Sequence, residues 1–136
     1  ISRTELLVVN KEEAAMLAGK EAPERMLHNL KELGPRIVAV TDGKNELRVI
    51  NENCIYTAKP PYAKVVDTTG AGDAFASSFL SGILRKNDIE FAIRLGIVNS
   101  LSVVTHYGAK NILLSYNAAM KDMKKLKIKI KKKRLR

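Results

Sequence analysis

Apolar residues follow two rhythms along this chain. Short unbroken runs at residues 5–9 and 36–41, bounded by polar or turn residues, predict buried strands of the kind found in parallel sheets. Residues 46–50 and 55–59 predict antiparallel strands added at a sheet edge, with Asp42-Gly43-Lys44-Asn45 as a hairpin turn that needs residues tolerant of positive φ. Helical spacing predicts a helix over 11–17 opening at Asn10, and another over 23–33 with Pro23 in its first turn and Gly34-Pro35 as its stop. Two more helices are predicted at 89–105 and near 117–126. Residues 65–67 read as a further strand, followed from about Ala71 by a helix in which Phe75, Phe79, Ile83 and Leu84 fall at helical spacing. Strands alternating with helices imply an α/β layer architecture, whose ligands bind beyond the carboxyl ends of strands. Asn10, Thr41 and Asp67 are the polar residues expected at those ends.

The segment Asp67-Thr68-Thr69-Gly70-Ala71-Gly72-Asp73 carries the strongest chemical signal. Gly70 and Gly72 lack a Cβ, so the backbone there can take unusual dihedrals and come close to a bound group. A helix beginning at this point presents unpaired N–H groups and the positive end of its macrodipole, which together attract an anion. Asp73 lies within that end, placed to accept a proton from a hydroxyl attacking phosphorus while the amides stabilise charge on the transferring group. The bland alternative is a tight turn whose acidic residues complement the helix dipole.

The full string resembles the C-terminal signature of the ribokinase-like, or PfkB, family of sugar and nucleoside kinases, and matches it letter for letter. Asn10-Lys11-Glu12-Glu13, Thr41-Asp42-Gly43 and Thr105-His106-Tyr107-Gly108-Ala109 follow the family's order, so the resemblance spans residues 6–112. It implies a three-layer ribokinase-like α/β sheet with helices on both faces, present as its C-terminal part. Residues 1–120 would carry nucleotide binding and the catalytic base, and 121–136 a basic tail. The implied activity is transfer of the γ-phosphoryl group of ATP to a sugar or nucleoside hydroxyl. Asp73 is similar to the family's base, and the amides of Gly70, Ala71 and Gly72 to its anion hole. Asn10 resembles the asparagine near the ATP phosphates, and Glu13 the glutamate that orders water around Mg2+. Thr41 and Gly43 resemble phosphate contacts, and Ile97 falls at an adenine-wall position. Asp67, Thr69 and the carbonyls of Val103, His106 and Gly108 resemble ligands of a monovalent cation such as K+, while Ile112 replaces a hydroxyl found in some members. Asn10 with Glu13 is equally a helix N-cap, and Gly108 equally a C-cap.

Nothing in the 136 residues resembles the family's N-terminal half, so that half, or a homo-oligomer, is an expected partner, with the phosphate acceptor unnamed. A hydrophobic content of 46% is that of a globular chain with a core. One cysteine, Cys54, excludes an internal disulfide and points to a reducing, cytoplasmic setting. Apolar runs are far shorter than the ~20 residues a membrane span needs, so no membrane partner is expected. The formal charge of +10 belongs to one end: residues 121–136 hold ten Lys and Arg against Asp122, whereas the other 120 residues hold fourteen basic and thirteen acidic side chains. A solvated, partly frayed terminus without a nucleic-acid partner is the expectation, and the period-2 alternation at 126–131 fits an edge strand or disorder. Two other functions stay open: a noncatalytic truncated relative that binds nucleotide or a partner chain, and a basic-tail adaptor for nucleic acid or an anionic membrane.

Overall fold

β1 (Leu6–Asn10) and β2 (Ile37–Thr41) pair in parallel, with Asn10 opposite Thr41. Parallel neighbours need a crossover, and the intervening residues supply α1 (Lys11–Ala18) and α2 (Pro23–Glu32). β2 then turns at residues 42–45, where Gly43 takes φ +54° and the Asn45 N–H donates to the Asp42 carbonyl at 2.8 Å. The chain returns antiparallel as β3 (Leu47–Ile50), then β4 (Cys54–Ala58). β5 (Ile130–Arg134) closes a mixed sheet of order β1-β2-β3-β4-β5. The computed structural model describes residues 1–106 and 113–136. They form two compact units, Ile1–Lys59 with Ile130–Arg136, and Pro60–Lys129.

In the first unit α1 and α2 cover one sheet face. Val9, Val38, Val40, Ile50 and Ile55 meet Ala14, Met26, Leu27 and Leu30 in a buried cluster. Of the alternation at 126–131, expected as edge strand or disorder, only residues 130 and 131 enter β5: Leu126 ends a helix, and the edge strand runs on to Arg134, after which Leu135 packs against this cluster and its N–H donates to the Asn53 carbonyl at 2.7 Å. On β4, Tyr56 is buried and its phenol is pushed up from its ordinary value of 10.0, mainly by desolvation, with the Lys132 ammonium partly opposing this. The neutral phenol is therefore favoured by folding. Stability that is whole below the unfolded value of 10.0 should fall as pH rises past it, because the unfolded chain ionises first. Tyr56→Phe should flatten that alkaline loss, read as urea midpoints between about pH 8 and 11.

The second unit is built on α3 (Ala71–Lys86) and α4 (Ile89–Val104), with α5 (Tyr116–Leu126) beside α4. A Cβ on Gly82 would lie 2.6 Å from the Ala92 Cα, and one on Gly96 2.7 Å from the Phe75 ring. An early α3 residue thus meets a later part of α4 and the reverse, so the two helices pack antiparallel at near backbone contact. Asn87 turns the chain between them at φ +49°, and Asp88 caps α4 by accepting the Phe91 N–H. The buried face of α3 runs through Phe75, Ser78, Phe79 and Gly82; Leu84, expected on the apolar face, is 77% exposed. The strand expected at 65–67 does not form. Val65 and Val66 are exposed, and the N–H groups of Val66 and Asp67 both donate to the Val104 carbonyl, at 2.8 and 3.3 Å, which ties them to a helix end instead of a ladder. Among the described residues no helix is long and apolar enough to cross a membrane.

Candidate active site

The loop before α3 is shaped by its own side chains. Asp67 Oδ1 accepts the Thr69 N–H at 2.9 Å, an Asx turn that delivers the chain to Gly70. Gly70 is the N-cap at φ +81°, ψ 1°, a left-handed conformation that only glycine adopts cheaply. The Ala71 N–H donates to the Thr68 carbonyl at 3.2 Å, so of the three amides expected in an anion hole this one already has an acceptor. Among the described residues no acceptor meets the N–H of Gly70 or Gly72. Gly72 is exposed, and a Cβ there would meet nothing within 4 Å, so no packing inside the protein demands glycine. Asp73, at the third helical position, is exposed and makes no ion pair or hydrogen bond among the described residues. Amides without an acceptor among the described residues can take an anion, while the solvent-exposed carboxylate beside them can take a proton.

Nearby, the Val104 carbonyl accepts the Asp67 N–H, which sets Asp67 of the expected cation shell beside the end of α4, where Val103 and His106 lie. The Val103 carbonyl accepts the His106 N–H at 3.3 Å, and His106 Nδ1 lies 2.8 Å from the Ser102 carbonyl and 3.1 Å from Thr105 Oγ1. Gly108 and Ile112 lie outside the described residues. Ile97 is 1% exposed, so its expected place in an adenine wall finds no support in its surface.

In the other unit, Asn10 and Thr41 stand side by side at the carboxyl ends of β1 and β2. Asn10 and Glu13 form the full capping box: the Glu13 N–H donates to Asn10 Oδ1 at 2.8 Å and the Asn10 N–H to Glu13 Oε2 at 2.9 Å. The structural reading of this pair is therefore realised; both residues remain exposed. Lys11 was not singled out from the sequence, yet its Nζ lies 3.0 Å from Asp42 Oδ2 and so clasps the start of α1 to the turn that holds Gly43. Its signal in the sequence was only its place next to Asn10. A shallow cavity beneath this clasp is lined by Met26, Leu27, Val40 and Arg48, with Arg48 held 2.8 Å from Glu46.

Residues 1–115 match the pfkB family carbohydrate kinases. The fold agrees: ribokinase from Arabidopsis thaliana, solved with ribose and ATP, superposes with a TM-score of 0.81 at 25% identity over 90% of this chain and 42% of that one. The ATP-dependent 6-phosphofructokinase of Thermoanaerobacterium thermosaccharolyticum is 32% identical over 93% of this chain and 40% of its own length. The cytidine kinase of Thermococcus kodakarensis is 33% identical over 79% and 40%. This chain is a member of the pfkB family, and its mixed sheet with helices is the C-terminal part of the ribokinase-like α/β fold. It spans about two fifths of the length of the curated relatives it matches.

Proposed function

We propose that the protein transfers the γ-phosphoryl group of ATP to a hydroxyl of a sugar or nucleoside, with Asp73 as general base. The observation that carries this reading is the start of α3, where a left-handed glycine cap precedes an exposed carboxylate, and where that carboxylate and the amides of Gly70 and Gly72 have no partner among the described residues. The amides of Gly70 and Gly72, with Ala71 between them, would hold the transferring phosphoryl group as negative charge spreads over its oxygens. Asp73 would take the proton of the attacking hydroxyl. The kinases matched here act on sugar phosphates and on nucleosides, which supports both acceptor classes.

Asn10, Thr41 and Gly43 are the proposed phosphate contacts of the other unit. Glu13 is an exposed carboxylate and a hard oxygen donor, of the kind Mg2+ takes when substrate phosphates supply much of its shell. Bound there, the ion would neutralise phosphate charge. The carbonyl-rich junction of Asp67 with residues 103–106 is the proposed seat of a monovalent cation. Because the relatives are longer, we place the acceptor pocket in polypeptide beyond these residues or in a second copy.

Transfer itself is the test. Incubated with magnesium-ATP and a panel of sugars, sugar phosphates and nucleosides, the protein should convert at least one acceptor to a phosphate ester. Nucleotide-dependent thermal stabilisation with no ester from any acceptor would leave a noncatalytic binding module. Gly72→Ala separates binding from folding by opposite signs. It should raise stability by about 0.5 kcal/mol, because helical alanine loses less chain entropy. It should also weaken nucleotide binding, because the new methyl enters the space where phosphate approaches. Urea unfolding and calorimetric titration with ATP read the two effects.

A further inference from the structure

The charge of the C-terminal segment is ordered by the sheet. In β5 and the two residues after it, Lys131, Lys132, Lys133, Arg134 and Arg136 are all exposed, and the outer side of the strand has no partner strand among the described residues. Leu135 and Ile130 are half-buried, and Leu135 turns onto the core cluster, so the apolar residues hold the strand while the cations stand clear. Lys131 pairs with Thr57, and Lys132 with Tyr56. Alternation therefore sends Lys131 and Lys133 to one face and Lys132, Arg134 and Arg136 to the other. On each face successive cations are spaced roughly 6.5–7 Å apart, twice the rise per strand residue.

Countercharge is scarce. β4, the neighbouring strand, is Cys-Ile-Tyr-Thr-Ala and carries no charged side chain. Lys133 pairs with Glu24 at 2.8 Å, and Lys132 lies 5.4 Å from the centre of the Tyr56 ring. Lys131, Arg134 and Arg136 have no ion pair among the described residues. Residues 1–59 hold nine acidic and nine basic side chains, so the remainder of the unit adds no net negative charge to offset the five cations of residues 131–136.

From this arrangement we infer that β5 is a sequence-independent docking edge for the phosphate backbone of nucleic acid. Edge lysines also discourage strand addition, and that role coexists with this one. An anionic membrane is the weaker match, because stable anchoring takes a second, apolar signal and the apolar residues here point into the fold. No exposed aromatic residue lies between the cations to stack on bases, so recognition rests on phosphates and on counterion release.

The full chain should bind a fluorescein-labelled 20-base-pair duplex of arbitrary sequence with a dissociation constant of roughly 10⁻⁴–10⁻⁶ M, weakening with salt at a log–log slope of about −4. Replacing Lys131, Arg134 and Arg136 together by Gln, while keeping the Lys133–Glu24 pair and the Lys132–Tyr56 contact, should reduce that slope by about three. It should also weaken binding at low salt more than tenfold, with an unchanged urea midpoint. Binding that the triple variant retains in full, no binding at the highest protein concentration, or tighter partitioning onto phosphatidylserine vesicles than onto the duplex would each overturn the assignment.

Discussion

Asp73→Asn should reduce phosphoryl transfer by about 10²- to 10⁴-fold, the range expected when a positioned general base is removed. Asparagine keeps the volume and the helix but cannot take up the proton of the attacking hydroxyl. Asp73 is exposed and unpartnered among the described residues, so no ion pair is broken and the fold should hold. ATP affinity should be unchanged or slightly tighter, since a negative charge is withdrawn from beside the phosphates. Steady-state kinetics of a responsive acceptor, together with calorimetric titration of ATP, separates the two quantities. Turnover equal to that of the parent protein would remove Asp73 from the chemistry and leave the glycine turn as an anion site alone.

The largest effect on stability is expected at Phe79. Its side chain is fully buried, and its ring stacks on Phe75 with centroids 5.7 Å apart. Phe75 in turn meets Gly96 so closely that a Cβ on that glycine would lie 2.7 Å from the ring. Phe79→Ala should therefore cost about 3–5 kcal/mol, as lost transfer energy plus an unfilled cavity between helices that cannot approach further. Urea unfolding followed by circular dichroism reads this directly. Phe79→Leu, which keeps most of the volume, should cost under about 1.5 kcal/mol. If both substitutions cost the same, the ring is not what separates α3 from α4. The functional consequence is local: α3 carries Asp73 on its first turn, so loosening the α3–α4 contact should degrade nucleotide binding in proportion to the stability lost.

Much of this molecule was legible because the deciding interactions are local. The capping box at Asn10 and Glu13, the positive φ demanded at Gly43 and Gly70, and the proline start of α2 are each settled by residues within a few positions of one another. The seven residues from Asp67 to Asp73 named the family and placed a carboxylate at a helix start for the same reason. Failures occurred where a distant partner decides. Val65 and Val66 have the composition of a strand, yet strand formation needs a neighbour to share a ladder, and their segment bonds to the end of α4. Leu84 continues an apolar periodicity, but the buried face of α3 is fixed by Gly82 against Ala92, a contact that periodicity cannot reveal.

The sequence by itself determined the family, the α/β class and the conformation of the turn before α3, because short-range backbone preferences and side-chain-to-backbone hydrogen bonds act before any long-range contact forms. Tertiary structure alone decided that the segment before that turn bonds to the end of α4. It also decided that Lys11 reaches Asp42, and that a lysine-rich tail becomes the fifth strand of a sheet. Those outcomes depend on residues from far along the chain meeting in space, as when Leu135 joins the core cluster of α2 and holds the neighbouring cations on the two faces of an edge strand.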